Sequence, residues 1–457
     1  MSYQVPQYIN KDKIFIVNRS EIEGRLEPEF YRPSISSLEN RIRSLATHKL
    51  RDYALSLAGG ATPKKTEADK YYSDSELGIP FLRVQNLQTS GELALDNCIY
   101  INEETHNGLL QRSQVAEGDL LVKITGVGRM AVASVAPKDF VGNTNQHMVV
   151  IKTGNASTSR YLARYLNLDI IERIASRHST GGTRPALDYP SLKALPIIEG
   201  IDFSPIDRAI CLQKEKEHEA QLLLEGIDYY LIEKLGLSLP QIQRDLKSRI
   251  FLTSFHNIES SRIDPLFLLC WGKEVASSIY KSIKLCSISE ICKGNALTSK
   301  EIIPGAVPVI AGGQTSPYFH NESNYSGNVI TVSASGAYAG YVWYHEGPIY
   351  ATDCNVIYSQ NEDSFLTKFI YEVLRVQQDY IYYLQTGAAQ PHVYSYDLEA
   401  LRIPKVPVAI QHEIVNHIDI IRQKAKALQE EGKAILEEAK REIETMIINV
   451  NYTRYEK

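Results

Sequence analysis

The sequence predicts an α+β fold: two β-rich domains separated by two long antiparallel coiled-coil helices, with a pseudo-twofold relation that comes from internal duplication. Three observations predict it. Thr180–Leu195, TGGTRPALDYPSLKAL, returns 206 residues later without a gap as Thr386–Leu401, TGAAQPHVYSYDLEAL, keeping the Thr-Gly, the Pro and the closing Leu-x-Ala-Leu. A second anchor, Arg25–Phe30 (RLEPEF), returns as Arg262–Phe267 (RIDPLF); Ile14-Phe15 and Ile22-Glu23 precede the first copy, Ile250-Phe251 and Ile258-Glu259 the second. After each copy, apolar residues recur at four-three spacing, the pattern of a helix with one buried stripe. Two anchors repeated in the same order point to tandem duplication.

A chain of 457 residues exceeds one ordinary domain. No apolar run approaches the roughly 18 residues of a membrane span, and the start lacks the basic-then-apolar layout of a signal peptide, so a cytoplasmic protein is expected. The six cysteines form no CxxC pair and have no partner His at zinc-site spacing, so reduced thiols are expected, with no metal and no cofactor. The net charge of −5 argues against gripping nucleic acid by bulk electrostatics alone.

The chain divides at the repeat boundaries into 1–56 (a leading segment and helix), 57–200 (the first β-rich domain), 201–249 (a central long helix), 250–284 (the second leading segment), 285–404 (the second β-rich domain) and 405–457 (a C-terminal long helix). Ser34–Thr47 and Leu266–Lys281 read as helices. In the first copy, Gly78–Leu87 reads as a short strand, Gly118–Val135 as a hairpin around a Gly-containing turn, His147–Lys152 as a strand, and Ser159–Arg177 as a helix capped by Ser159. The second copy repeats the plan with Val307–Gln314, Gly327–Gly347, Cys354–Ser359 and Phe365–Leu384.

Ile414, Ile418, Ile421, Ala425, Leu428, Gly432, Ile435, Ala439, Ile443 and Met446 form the seam of the C-terminal helix. Ile206, Ile210, Gln213, Glu217, Ala220, Leu224, Ile227 and Leu231 form that of the central one, with Gln213 and Glu217 as polar interruptions. A helix of about 30 residues is roughly 45 Å long. The two are expected to pack on each other, antiparallel; the alternative is that each packs on its own globule. Gly236 and Pro240 end the central helix.

Catalytic signatures are missing: no GxxxxGK[ST], HExxH, GxSxG, helix-opening GxGxxG, or NPPY-like run. No catalytic residue is assigned. What stands out instead is polar residues at strand ends and loops. In the first copy these are Arg83, Gln85, Asn86, Lys123, Thr125, Arg129, Asn145, Gln146, His147, Arg177, Thr183 and Arg184. In the second they are Gln314, Thr315, Tyr318, Ser333, Ser335, Tyr338, Tyr341, Asp353, Asn355, Gln390, His392 and Tyr394. Arg, Gln and Asn can read base edges with paired hydrogen bonds, while Tyr, Ser and Thr hold phosphates. Corresponding places are polar in both copies but differ in identity, as a duplicated frame reading two different sequences requires.

The chain resembles the specificity (S) subunits of Type I restriction–modification systems over nearly its whole length. The resemblance rests on the RLEPEFYRP and RIDPLF segments, the hairpin blocks GDLLVKITGVGRMAV and GNVITVSASGAYAGYVWYHEGPIYATD, and the TGGTRP and TGAAQP joints, each followed by a long helix. It implies two target-recognition domains, each binding one half of a bipartite asymmetric site on double-stranded DNA, and an antiparallel helical spacer setting the gap. It further implies two methyltransferase (M) subunits, and restriction/translocase (R) subunits in the full complex, around a subunit that catalyses nothing itself. On this reading the candidate DNA-binding residues are Arg83, Gln85, Asn86, Lys123, Thr125, Arg129, Gln146, His147, Thr183, Arg184, Gln314, Thr315, Tyr318, Ser333, Ser335, Tyr338, Gln390, His392 and Tyr394. The spacer-packing residues are Ile210, Leu224, Ile227, Leu231, Ile414, Ile418, Ile421, Leu428 and Ile435. Two rivals are a stand-alone nuclease or methyltransferase and a coiled-coil interaction scaffold without a DNA role.

Overall fold

The computed structural model describes residues 6, 8–239, 252, 276–387 and 389–449. The second leading segment, with Ile250, Phe251, Ile258, Glu259 and Arg262–Phe267, lies outside them, as do Pro240 and Cys270. The chain forms two compact units, one of Met1–Lys216 with Glu430–Lys457 and one of Glu217–Gln429.

In the first unit, helix Pro33–Leu45 starts on a proline, which needs no N–H at that position. The strands are β1 (His48–Lys49), β2 (Ser56–Gly59), β3 (Tyr72–Ser73), β4 (Ile79–Leu82), β5 (Ile99–Ile101), β6 (Gln114–Ala116), β7 (Leu120–Lys123), β8 (Ala133–Val135), β9 (Val141–Thr144), β10 (Met148–Lys152) and β11 (Pro196–Ile197). One sheet has the order β2-β10-β7-β8, antiparallel throughout. A second has the order β3-β5-β4-β9-β6, with β4 and β9 parallel. The first sheet is buried on both faces: Leu120, Val122, Val149 and Ile151 join the main core with the helices, while Leu121, Met148 and Val150 join a second cluster with Leu82 and Val115. That two-sided burial is why β7 and β10 are apolar runs and not alternating ones.

The second unit contains β12 (Leu237–Ser238), β13 (Ala276–Ser277), β14 (Ser282–Lys284), β15 (Ser289–Lys293), β16 (Val307–Ile310), β17 (Tyr318–His320), β18 (Val329–Ser333), β19 (Val342–His345), β20 (Tyr350–Ala351), β21 (Cys354–Ser359) and β22 (Arg402–Pro404). Its main sheet, β15-β21-β18-β19, repeats β2-β10-β7-β8 in order and direction. β14 pairs with β22 as β1 pairs with β11. The second sheet is smaller, β17-β16-β20, and keeps the parallel pair β16–β20 in the place of β4–β9.

Two helices stand where one continuous helix was expected in each copy. Ala156–Leu166 and Asp169–His178 are separated by Asn167, whose amide donates to the Ala133 carbonyl at 2.7 Å and accepts from the Ala133 N–H at 3.1 Å, serving as a strand partner for β8. Gln378, opening the second of Thr367–Val376 and Gln378–Tyr382, does the same beside β19, with bonds to the Gly340 carbonyl at 2.8 Å and the Val342 N–H at 2.9 Å. The N-cap is Asn155, not Ser159; Ser159 is buried inside the helix with its hydroxyl 2.8 Å from that of Thr153. The expected helix Leu266–Lys281 is not helical at its described end, where Ala276–Ser277 pairs with β12.

The long helices run Ser204–Leu235 and Val408–Asn449, and each contributes to both units. Within the first unit, Ile206, Ala209 and Ile210 share a core with Leu436, Ala439, Ile443 and Ile447, and Lys216 pairs with Glu431 at 2.9 Å. Within the second, Ile227 and Leu231 share a core with Ile414 and Ile418, and Lys234 pairs with Glu413 at 2.7 Å. In each unit the segments therefore run antiparallel.

The seam is not strictly heptad. Ile414, Ala425, Leu436 and Ile447 are all buried at eleven-residue steps, as are Ala209, Ala220 and Leu231 on the first helix. That period lies closer to the 3.6 residues of an ordinary turn than 3.5 does. The drift turns Met446 outward and leaves Glu217 exposed, while Leu224, Ile421, Leu428 and Ile435 are half-buried. Gly432 lies against Gln213, where a Cβ would sit 3.3 Å from the Gln213 Cα. The five described cysteines, Cys98, Cys211, Cys286, Cys292 and Cys354, are free. No helix among the described residues is long and apolar enough to cross a membrane.

Candidate nucleic-acid interface

The joint Thr180–Leu195 folds back on itself. Thr180 and Ala186 exchange both backbone hydrogen bonds at 2.8 Å, as do Thr386 and His392. Gly181 and Gly387, at φ +99° and +96°, make the turn in a region that favours glycine; a Cβ would lie 3.0 Å from the Arg184 carbonyl oxygen or 2.6 Å from that of Gln390. The joint then clips onto the main hairpin: Gly126 N–H to Pro185 carbonyl and Gly336 N–H to Pro391 carbonyl, both 3.0 Å. Leu192, Leu195, Leu398 and Leu401 are buried, and the Leu195 and Leu401 carbonyls accept from Leu50 and Leu285. The shared residues are thus the packing and turn residues of the joint, and the differing ones, Thr183-Arg184 against Ala389-Gln390, are exposed.

The other repeated anchor meets this joint in the first unit. Arg25 donates to the Ser179 carbonyl at 3.0 Å, and Arg25 and Arg177 flank the Phe30 ring at 4.6 and 4.5 Å. Arg177 also pairs with buried Glu39 at 2.6 Å. Arg177 is therefore a structural residue here.

Strand ends and loops converge beside the joint in each unit. In the first, the Asn145 N–H donates to the Leu82 carbonyl at 3.2 Å and the Ile124 N–H to the His147 carbonyl at 2.9 Å. Those bonds bring Arg83, Gln146, His147, Thr125 and the joint loop together. Gln146 is exposed and takes a hydrogen bond from Thr62; His147 is half-buried, and Gln85, Thr183 and Arg184 are exposed. Half-buried Arg83 reaches the Asn97 carbonyl at 3.3 Å.

Three candidates of this copy turn inward. Asn86 is buried, accepting from the Arg83 N–H and donating to the Ala94 carbonyl, both at 2.8 Å. Lys123 is buried with its ammonium 2.7 Å from the Val127 carbonyl, and burial lowers its pKa. Arg129 pairs with Asp169 and donates to the Asn167 carbonyl at 3.1 Å, fastening the hairpin turn to the helices. These side chains serve the frame, because each already makes internal hydrogen bonds or an ion pair.

In the second unit, Gln314, Thr315, Tyr318, Tyr338, Gln390 and Tyr394 are exposed. Ser335 and His392 are half-buried neighbours in a β-bridge. Tyr394 stacks between His392, 6.0 Å away, and Tyr396, 5.3 Å away, giving an exposed aromatic ladder. Ser333 turns inward; it is buried at the end of β18. Asn355 is buried, its amide donating to the Val393 carbonyl at 3.1 Å. The Ser335 hydroxyl donates to Asp353, which is exposed. A cleft of about 410 Å³ opens here, lined by Lys293, Thr298, Asp353, Asn355, His392 and Tyr394 among others.

Sequence reasoning missed Thr62, Tyr396 and Lys293. It also missed Gly60 and Gly294, where a Cβ would collide with the Thr144 and Asn145 carbonyls or those of Ala351 and Thr352. The available signal was a glycine following the first strand of each main sheet.

The copies differ electrostatically. Residues 61–188 carry 14 Lys+Arg against 14 Asp+Glu, and residues 290–399 carry 4 against 11. The first site presents Arg83, His147 and Arg184; the second presents Asp353.

The sequence over residues 278–438 matches the family model described as the Type I restriction modification DNA specificity domain. No curated protein sequence matches the chain. Among solved structures, the chain is similar to the S subunit of a Type-I restriction-modification system from M. genitalium at 15% identity and a TM-score of 0.39, over 87% of this chain and 95% of that one. It is also similar to the HsdS subunit from Thermoanaerobacter tengcongensis at 14% identity and a TM-score of 0.29, over 88% and 95%. Those likenesses are remote; the sequence match is confined to residues 278–438. Over its second copy the sequence thus carries a Type I restriction modification DNA specificity domain, and the first copy is built on the same frame.

Proposed function

We propose that this chain is the sequence-reading subunit of a Type I restriction–modification complex. Each unit reads one half of a bipartite, asymmetric site on double-stranded DNA. The two long helices set the spacing of the halves and dock methyltransferase subunits, and the restriction/translocase subunits join in the full complex. The chain itself carries out no catalysis. The observation that carries this reading is the pair of joints: the same hydrogen bonds are made in both copies, while the exposed side chains they present differ. Two different sequences read through one geometry require that combination.

The second unit has few cations, and phosphate neutralisation supplies much of the affinity of any DNA-binding protein. Much of the cationic grip is therefore assigned to the methyltransferase partners, with base readout left to this chain. Replacing residues 57–196 with the same segment of a relative, in the assembled complex, is expected to change one half of the methylated site and leave the other intact. A motif unchanged in both halves would refute the reading. Tight sequence-specific binding by the lone chain at physiological salt would refute the partner-grip part of it.

A further inference from the structure

We propose that Asp353 is a specificity-determining residue of the second unit, and that it selects a base presenting an exocyclic amino group in the major groove, adenine N6 or cytosine N4. The inference rests on the DNA-reading function proposed above. Asp353 lies in the short turn between β20 and β21, where three other segments of the unit meet. The Ser335 hydroxyl donates to its Oδ2, Ser335 in turn bridges to His392, and a Cβ on Gly312 would come within 3.5 Å of the same oxygen. Asp353 is exposed, and no lysine or arginine among the described residues pairs with it. One carboxylate oxygen is thus oriented by a hydroxyl, and the other is left as an acceptor at the edge of the cleft.

An exposed carboxylate at a DNA interface repels phosphate. It is tolerated only where it meets a donor. In the major groove the donors are the amino groups of adenine and cytosine; guanine offers N7 and O6, and thymine O4, all acceptors. Asp353 therefore discriminates by attraction to one pair of bases and by repulsion of the other. Lys293 and Tyr394 around the cleft carry N–H and O–H groups suited to phosphate, while the Asp353 carboxylate is suited only to a donor. The corresponding turn of the first unit holds Gln146 and His147 and no carboxylate.

The test uses the full chain assembled with its methyltransferase partners, carrying Asp353→Leu or Asp353→Ala. Each is measured in competition binding against a panel in which every position of the second half-site is varied across the four base pairs. Wild type is expected to favour an amino-bearing base at one position. Both variants are expected to lose that preference by roughly tenfold or more, with other positions unchanged. An unaltered ranking at every position overturns the proposal, and so does a gain in affinity uniform across all sequences. Exchanging residues 285–404 for those of a relative, in parallel, separates the failures: if that exchange leaves the methylated motif unchanged, the DNA-reading function itself has failed.

Discussion

The turn leading into the central strand of the main sheet presents Gln146 and His147 in the first unit and Asp353 in the second, although the backbone bonds around both turns correspond. Asn145 donates to Leu82 as Thr352 donates to Ile310, and Gly60 fits under one pair of carbonyls as Gly294 fits under the other. The second sheet varies more, with five strands in one unit and three in the other. The buried acids are also solved differently. Glu39, on the leading helix, is held by Arg43, Arg177 and His178. Glu372 takes Arg422 from the long C-terminal helix and Arg375 from its own. Divergence is thus found at the exposed tips, the smaller sheet and the partners of the buried acids, while the main sheet and the joint are held constant by packing.

That comparison can be broken or sharpened by six substitutions. The largest effect is expected from Ile418→Asp, which places a charge in the second unit's core, where Ile418 is fully buried. It should cost on the order of 3–5 kcal/mol in denaturant titration, and Ile443→Asp should do the same in the first unit; a neutral outcome in either would mean that the seam of that unit is not packed.

Next is Glu39. Burial alone would raise its pKa, but the hydrogen bonds and charges of His178 and Arg43 outweigh burial and bring it down from the ordinary 4.5 to about 2. A depressed folded-state pKa means stability that is fully present above about pH 4.5 and is lost as pH falls toward 2. Allowing for solvent screening, wild type should lose about 2 kcal/mol more than Glu39→Gln across that window. Parallel pH profiles of the two would contradict the ion-pair cluster.

Arg184→Ala follows. It should weaken recognition of one half-site by about 1–3 kcal/mol if the guanidinium makes a bidentate base contact. An equal loss on every DNA sequence would instead identify a phosphate contact. The smallest effects are expected from Gly181→Ala and Gly387→Ala, about 1 kcal/mol or somewhat more in thermal unfolding, with Gly387→Ala the more costly because its Cβ would come closer to the facing carbonyl. Equal, negligible costs would show that the turns relax without strain.

The order of elements and the duplication were legible because both are written in local patterns: apolar runs for strands, four-three spacing for long helices, and repeated turn residues. Cys354–Ser359 is read from sequence with its boundaries intact. The break at Asn167 was not legible, because it depends on an amide pairing with β8, a contact distant in sequence. Nor was the drift of the seam, which puts Ile447 inside and Met446 outside: heptad counting assumes 3.5 residues per turn, and packing here follows a slightly longer period. At the site, residue type alone could not distinguish outward Gln146 and Arg184 from inward Asn86, Lys123 and Arg129. Polar side chains that satisfy backbone groups and those that await a ligand have the same composition, and only the partners tell them apart.

The central claim is that one frame carries two different readers at a set separation. Mapping methylated bases across the genome of cells carrying the intact system tests it most directly. The account predicts one asymmetric motif made of two unlike specified halves separated by a fixed run of unspecified base pairs. A single contiguous motif, or two identical halves, would contradict it.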